Sequence, residues 1–580
     1  MKMKKLFYIA AAAVTLASCE GFLTADNKSS VTADQQFSTL SGFESLVNDA
    51  YAVMRPIYNN VDNYNFLFQA GTDMYTLGRG NATNAFHEYL GLNPDNSTVN
   101  TFYTNCYDGI RAAYQVLYYA PNAKVTDELR NKRVDEARVI AAHYYYLLVN
   151  TFGGVPLIKK FVDAPSTGYP RAKAEDVYEW IISELEEVVS NNNLEASTAT
   201  KGGGRVSMEA AKAQLAQAYL SAAWDSMEDK DGSPNPKAQE YFTKAAKYAD
   251  EVIAGRSLTT PYADLYKTKY HVNDYSGDDD PEFIWDVEYD WSSAHNQSNG
   301  GHSWSGAYCG YLGGSEDNIK AVNTNFMASI HALESFEKGD LRYDVTFVKE
   351  LPELNANNAA GTGYYTWYEG GESLVGHPVQ RYYSAWYETD EDFEAWKALD
   401  PDNRANTYRI PMAEQTKEPQ NMDGTNMDYQ ASLSLVYGGG ACKKFDDAHT
   451  ATKTGGNNWH DIHIINLPEM FFVAAEAYLK SNDVATAAQR ISTVRERAGL
   501  SKVTTVDLDD IMKERSCELF GMGKRWFDLR RTGLLEKYNE KYNPFVGSNA
   551  AAWVKWLRPI PQGAIDANDQ LSAADQNPGY

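Results

Sequence analysis

Hydrophobic positions recur at three- and four-residue steps through the first 255 residues and again after residue 466, a spacing that predicts amphipathic helices. Phe43, Leu46, Val47, Ala50 and Tyr51 place a helix between Gly42 and Ile57, and Tyr107, Ile110, Tyr114 and Leu117 place another between Thr101 and Tyr119. Further stripes run through Val134, Ala137, Ala141, Tyr144 and Leu148, and through Val177, Trp180, Ile181, Leu185 and Val188. Ser207 is the expected N-cap of a run through Ala211, Leu215, Ala218 and Ala222, and Phe242, Ala245, Ala249 and Val252 form its partner. Later, Met470, Val473, Ala474, Ala477 and Tyr478 make a stripe with Glu476 and Lys480 outside it. After a turn at Ser481-Asn482-Asp483, the spacing resumes at Val484, Ala487, Ala488, Ile491 and Val494. Arg495 and Arg497 sit in the last turn, where cations suit the negative helix end, and Gly499 closes the helix. A third run, Leu508 to Phe520, breaks at Gly521 and Gly523.

Between Gly255 and Pro468 the texture changes to Gly, Asn, Asp and aromatics in short alternating runs, of which "EFIWDVEY" reads as a strand. This predicts a loop-rich insertion at about 256–466 on a helical scaffold at about 42–255 and 467–533, followed by a C-terminal tail at 534–580. The scaffold helices come in pairs with Ala, Tyr or Trp at packing positions, the texture of divergent tetratricopeptide-type repeats.

The formal charge, 53 basic minus 78 acidic residues, is −25, which repels nucleic-acid phosphates; no polynucleotide partner is expected. Of five cysteines, Cys106, Cys309, Cys442 and Cys517 read as small core residues or unpaired thiols. Cys19 is different. Met1 to Lys5 is basic, Leu6 to Ala17 is an apolar run too short to span a bilayer, and Leu16-Ala17-Ser18-Cys19 has the form of a lipobox. Residues 1–18 are thus expected to be a lipoprotein signal peptide, and the Cys19 thiolate the nucleophile that takes up diacylglycerol. An ordinary secretory leader with a coincidental cysteine is the competing reading. Residues 19–41 are then a lipidated polar tether, and the mature protein is anchored to the membrane, not threaded through it.

The run "ERSCELFGMGKRWFDLRRTG", Glu514 to Gly533, resembles the C-terminal signature of the SusD/RagB family of outer-membrane nutrient-binding lipoproteins. Gly521, Met522 and Lys524 depart from the usual pattern. Glu20, Phe22 and Leu23, "TFGGVPLI", "LESFEKGDLRYDVTFV", where an acid-arginine pair is expected to precede a strand, "WLRPIP" and "QNPGY" extend the resemblance to the whole mature chain. It implies a mainly α, SusD-like fold with four tetratricopeptide-type helix pairs as scaffold. Functionally it implies a cell-surface protein that captures oligosaccharide and hands it to a SusC-like TonB-dependent transporter, with the helical face docked on that partner. Trp526, Phe527 and Leu529 within the signature have the character of core residues.

Aromatics are abundant, with 40 Tyr and 12 Trp, and they gather in glycine-rich stretches. One window holds Trp285, Tyr289, Trp291, Trp304, Tyr308 and Tyr311; another runs from Tyr364 to Tyr387 and includes Trp367, Tyr368, Tyr382, Tyr383 and Trp386. The apolar face of a sugar stacks on such rings while its hydroxyls need fixed polar partners. The expected ligand-binding residues are Trp291, Trp304, Tyr308, Tyr311, Trp367 and Tyr368, joined by Asp73, Tyr75, Arg79 and Asn81 in "TDMYTLGRGNATNAFHEY". For each ring the alternative is that it fills a core short of aliphatics. No cofactor or metal is expected: His460 and His463 fall on opposite faces of a strand, and Asp278, Asp279 and Asp280 lack the alternation of a calcium loop. No nucleophile-elbow, zinc-protease or phosphate-loop motif occurs. Capture of peptides, as in some RagB-like proteins, and a surface glycoside hydrolase remain the alternatives to glycan capture.

Overall fold

The computed structural model describes residues 31–59, 64–77, 85–163, 166, 168–198, 203–266, 278–289, 301–304, 313–315, 318–320, 326–352, 354–355, 364–366, 368–369, 372–373, 378–412, 442–445, 459–543 and 545–580. Among them, eight helices form a row in which each packs on the next. They are α1 (Leu40–Ala52), α2 (Ser97–Tyr119), α3 (Asp127–Phe152), α4 (Ala174–Asn191), α5 (Met208–Asp225), α6 (Pro236–Ile253), α7 (Leu467–Lys480) and α8 (Val484–Arg497). Thr39, Asn96, Thr126, Ser207, Asn235, Asn466 and Asp483 start seven of them, each side chain accepting a first-turn N–H that the helix itself leaves without a partner. The row does not stop at the insertion: α6 packs directly on α7 although residues 254–466 lie between them.

Helices inside the row are covered on more sides than one apolar stripe requires. Between Met208 and Trp224, α5 is buried except at the half-buried Glu209 and Lys212, and its alanines let both neighbours approach closely. In α7, Glu476 does not lie outside the packed face as expected. It is fully buried, where it accepts from the Trp224 indole at 3.2 Å and pairs with Arg531. Arg495 and Arg497 likewise do more than complement a helix end: they turn inward onto Glu337 and Glu514, and onto Glu282 and Glu518.

Short strands pack against helices of the row. β1 (Tyr75–Leu77) pairs antiparallel with β3 (Phe326–Ala328), and β2 (Phe283–Val287) pairs antiparallel with β4 (Ile462–Asn466). The expected strand in "EFIWDVEY" is β2, but it is buried along its whole length, so its alternation does not separate a wet face from a dry one. The expected strand after the Asp340/Arg342 pair is instead the helix Leu341–Thr346. Asp340 caps it by accepting the Arg342 N–H, and only Phe347, just beyond, bridges to Cys442.

The signature explains its own density once folded. Helix α9 (Leu508–Glu518) ends before Gly521 (φ +81°) and Gly523 (φ +72°), left-handed positions that let the chain reverse into α10 (Arg525–Thr532). All eight residues of α10 are buried. Trp526, Phe527 and Leu529 enter the apolar core, as expected, while the charged residues between them pair internally. Arg525 meets Asp73, Arg530 meets Asp225, and Asp528 joins Arg515 to Arg531. Residues 534–580 then fold back over the row: Arg558 is fully buried over the Trp526 ring, and Asn577 donates to the carbonyls of Phe152 and Arg558. Cys106, Cys442 and Cys517 are buried; Cys309 and Cys19 lie outside the described residues. Among the described residues no helix is long and apolar enough to cross a membrane.

Candidate functional site

Where β2 and β4 leave the sheet, several segments of chain are tied together by backbone and ring contacts. Tyr289 donates its N–H to Asp461 at 2.6 Å, and His460 Nδ1 lies 3.0 Å from Asp278. The His302 ring accepts the Trp304 N–H at Nδ1 (3.2 Å), which leaves the proton on Nε2 to be donated to the His460 carbonyl at 3.0 Å. Trp304 donates its indole N–H to the Tyr58 carbonyl at 2.8 Å, and Ser303 N–H bonds the Asn59 carbonyl. Arg55 closes the ring of contacts, donating to the Glu288 carbonyl and lying 5.4 Å over the Tyr289 ring. Asn59, Tyr289, Trp304 and Phe445, each bordering one of the stretches 60–63, 290–300, 305–312 and 446–458, therefore meet on one small floor.

That floor is solid. The space between Tyr266, Trp304, Lys444, His460 and their neighbours is 20 Å³, room for one water and no ligand. Beneath it the chemistry is that of a dry interior. His463 stacks on Phe283 with centroids 3.4 Å apart and contacts Asp286 at 2.7 Å, while burial lowers its imidazole to about 3. Burial, then the nearby Asp278, pushes the carboxyls of both Asp286 and Asp461 well above the ordinary range. Lys444 is driven down to about 7 by burial, against the pull of Glu518, and donates to the Glu518 and Phe520 carbonyls. Neither His460 nor His463 faces an arrangement of metal ligands; among the described residues no group of three or more His, Cys, Asp or Glu could hold a metal ion.

Four of the expected ligand residues, Asp73, Tyr75, Trp304 and Tyr368, lie among the described residues. Asp73 is fully buried: Arg525 donates to it through Nε at 2.8 Å and Nη2 at 2.5 Å. Burial alone would raise its carboxyl, but Arg525 and His331 hold it far below the usual range. Tyr75 is buried with its hydroxyl accepting the Gly521 N–H at 2.7 Å. Trp304 is 3% exposed, edge-on to Phe445 at 5.3 Å, and forms floor. These three are corrections to the sequence reading, since a paired or packed interior group offers a ligand no surface. Tyr368 lies in the two-residue strand Tyr368–Glu369, opposite Ser373. Arg79, Asn81, Trp291, Tyr308, Tyr311 and Trp367 lie outside the described residues.

One aromatic of the second window is different. Trp386 is 47% exposed, yet its indole N–H donates to the Phe336 carbonyl at 2.8 Å and Tyr387 meets it edge-on at 5.6 Å. Tyr387 in turn leans on Tyr343. The ring is thus both open and held, the state a stacking platform needs. In sequence it stands among other rings with nothing to distinguish it. By contrast Tyr382, Tyr383 and Trp285 are buried, and Trp396 is occupied by Tyr382 at 4.3 Å and by Arg404.

The row of paired helices thus carries the short strands, the open Trp386 ring and the floor on which several loop ends meet. A family model described as "SusD family" matches residues 281–580, and one described as "Starch-binding associating with outer membrane" matches 22–220. The chain belongs to the SusD/RagB family. A SusD-like protein of Bacteroides ovatus is 24% identical over 416 residues, 70% of this chain and 60% of that relative. A solved laminarin-binding SusD-like protein superposes with TM-score 0.61 at 21% identity, over 94% of this chain and all of that one. Surface glycan-binding protein A of Bacteroides thetaiotaomicron, solved with laminarihexaose, superposes with TM-score 0.62 at 19% identity, over 93% of this chain and 99% of the other.

Proposed function

We propose that this protein is a cell-surface lipoprotein that binds oligosaccharide without cleaving it and delivers it to a SusC-like TonB-dependent transporter in the outer membrane. The observation that carries the reading is the gathering of the flanks of 290–300 and 305–312 on the Trp304 floor, since those stretches carry Trp291, Tyr308 and Tyr311. Arg79 and Asn81 supply polar partners for hydroxyls, and Trp367, Tyr368 and the open Trp386 ring add a second stacking surface. Two similar structures support glycan as the ligand class, one named for laminarin and one holding laminarihexaose. Lipidation at Cys19 supplies the anchor, and the helix row supplies a rigid face for the transporter. In this scheme binding draws on stacking and hydrogen bonds, and no side chain takes part in bond breaking.

The test is retardation in native gels cast with a panel of soluble polysaccharides, with each incubated sample checked for released reducing ends. Retardation by one polysaccharide without new ends is the expected result. Released ends would overturn the non-enzymatic reading, and mobility unchanged across the whole panel would overturn glycan capture.

A further inference from the structure

Well away from the Trp304 floor in sequence, a groove of 510 Å³ opens along α2, bounded by residues 158–162 and the short helix Gln562–Asp566. That volume lies within the range of about 300–1,000 Å³ typical of small-ligand sites, in contrast to the floor described above. Its base is aromatic: the Tyr103 and Tyr107 rings lie 4.9 Å apart at 46°, and Tyr107 is locked by donating its hydroxyl to the Pro156 carbonyl at 2.7 Å. Asn100 and Thr104, one turn apart on the same helix, line it and offer amide and hydroxyl groups.

The rim carries two cations and one acid: Arg111, Lys160 and Asp108 line the groove, a local excess of positive charge in a chain whose formal charge is −25. Arg111 is only loosely engaged, 3.8 Å from Asp108, with both side chains more than half exposed. Lys160 is exposed and has no ion-pair partner among the described residues. An aromatic base, neutral hydrogen-bonding groups and two available cations match a ligand whose rings carry an apolar face, hydroxyls and a carboxylate.

We propose that this groove is a second saccharide site that takes acidic, uronate-bearing sugars. The sugar face stacks on the half-buried Tyr107, which the buried Tyr103 backs, the carboxylate meets Arg111 and Lys160, and hydroxyls meet Asn100 and Thr104. The choice of a saccharide over another ring-bearing carboxylate rests on the glycan reading above.

Gly563 provides a block that leaves the core untouched, because a Cβ placed there meets nothing nearer than Asn100 Oδ1 at 4.0 Å. The experiment is calorimetric titration of trigalacturonate into the full-length protein in detergent, with Gly563→Trp and Arg111→Glu/Lys160→Glu as variants and thermal unfolding as the control for folding. Trigalacturonate should bind the parent chain, weaken at high salt, and lose roughly tenfold or more in affinity in both variants, as expected for charge-assisted contacts. Equal binding by parent and both variants would overturn the site. Polysaccharide retardation in the gel with no trigalacturonate binding would overturn the groove alone, and failure of both would overturn the groove together with glycan capture.

Discussion

Asp73 and Arg525 stand 452 positions apart and meet as a two-bond ion pair sealed in the core, joining the segment before β1 to the first residue of α10. Replacing one partner of such a pair leaves the other charge buried without compensation, which costs about 3–5 kcal/mol. Asp73→Asn is expected to lower unfolding stability by that amount in urea titrations while leaving polysaccharide affinity intact in the folded fraction. Lost affinity with unchanged stability would return Asp73 to the ligand site.

Trp386 should behave in the opposite way. Its ring is nearly half exposed and makes one hydrogen bond, to the Phe336 carbonyl, so Trp386→Ala should cost only about 1 kcal/mol of stability, well below the Asp73→Asn loss. Polysaccharide affinity should fall by about 0.5–1.5 kcal/mol, roughly 2- to 12-fold, the range for one aromatic stacking contact. Affinity equal to that of the parent chain in gel retardation would remove Trp386 from the binding surface.

His87 is fully buried, and neither ring nitrogen finds a hydrogen-bond partner among the described residues. Burial lowers it to about 3 from an ordinary 6.5, so the folded protein keeps it neutral where the unfolded chain would protonate it. The unfolded state then binds the extra proton between about pH 3 and 6.5. Stability from this group is fully present above pH 6.5 and is lost as pH falls toward 3. His87→Leu should flatten the acid limb of the stability curve by close to one proton and leave stability at pH 7 equal or higher, since an unsatisfied polar ring is gone. An unchanged acid slope would refute the assignment.

Gly521 adopts φ +81°, and a Cβ there would lie 2.1 Å from the Phe445 ring. Gly521→Ala combines a left-handed backbone for a residue that resists it with an overlap against a packed ring. A loss of at least about 2 kcal/mol is expected in denaturant unfolding. A variant as stable as the parent would show that the turn between α9 and α10 can relax.

Periodicity located the helices, because a helix that packs on one neighbour must carry a stripe, and Ser207, Asp483 and Gly499 marked their ends. It failed where packing is many-sided. Glu476 looked like a solvated residue because nothing local announces Arg531, 55 positions away. Asp73 and Tyr75 looked like loop chemistry because their partners, Arg525 and Gly521, arrive from the far end of the chain. The resemblance to SusD/RagB proteins supplied the fold that such long-range pairs conceal. For the rings, composition could count them but not sort them: Trp304 and Trp386 both sit near tyrosines, and only the carbonyls and neighbours they reach make one a floor and leave the other open.

The direct packing of α6 on α7 makes residues 254–466 a closed loop with both ends clamped by the scaffold. The entropy of closing such a loop grows only with the logarithm of its length, so doubling it would cost only about 0.6 kcal/mol. Lengthening a loop between the points where this stretch is tied to the helices, such as β2, β4 and the buried Arg342, is therefore expected to cost the scaffold little, whereas changing those points themselves is not.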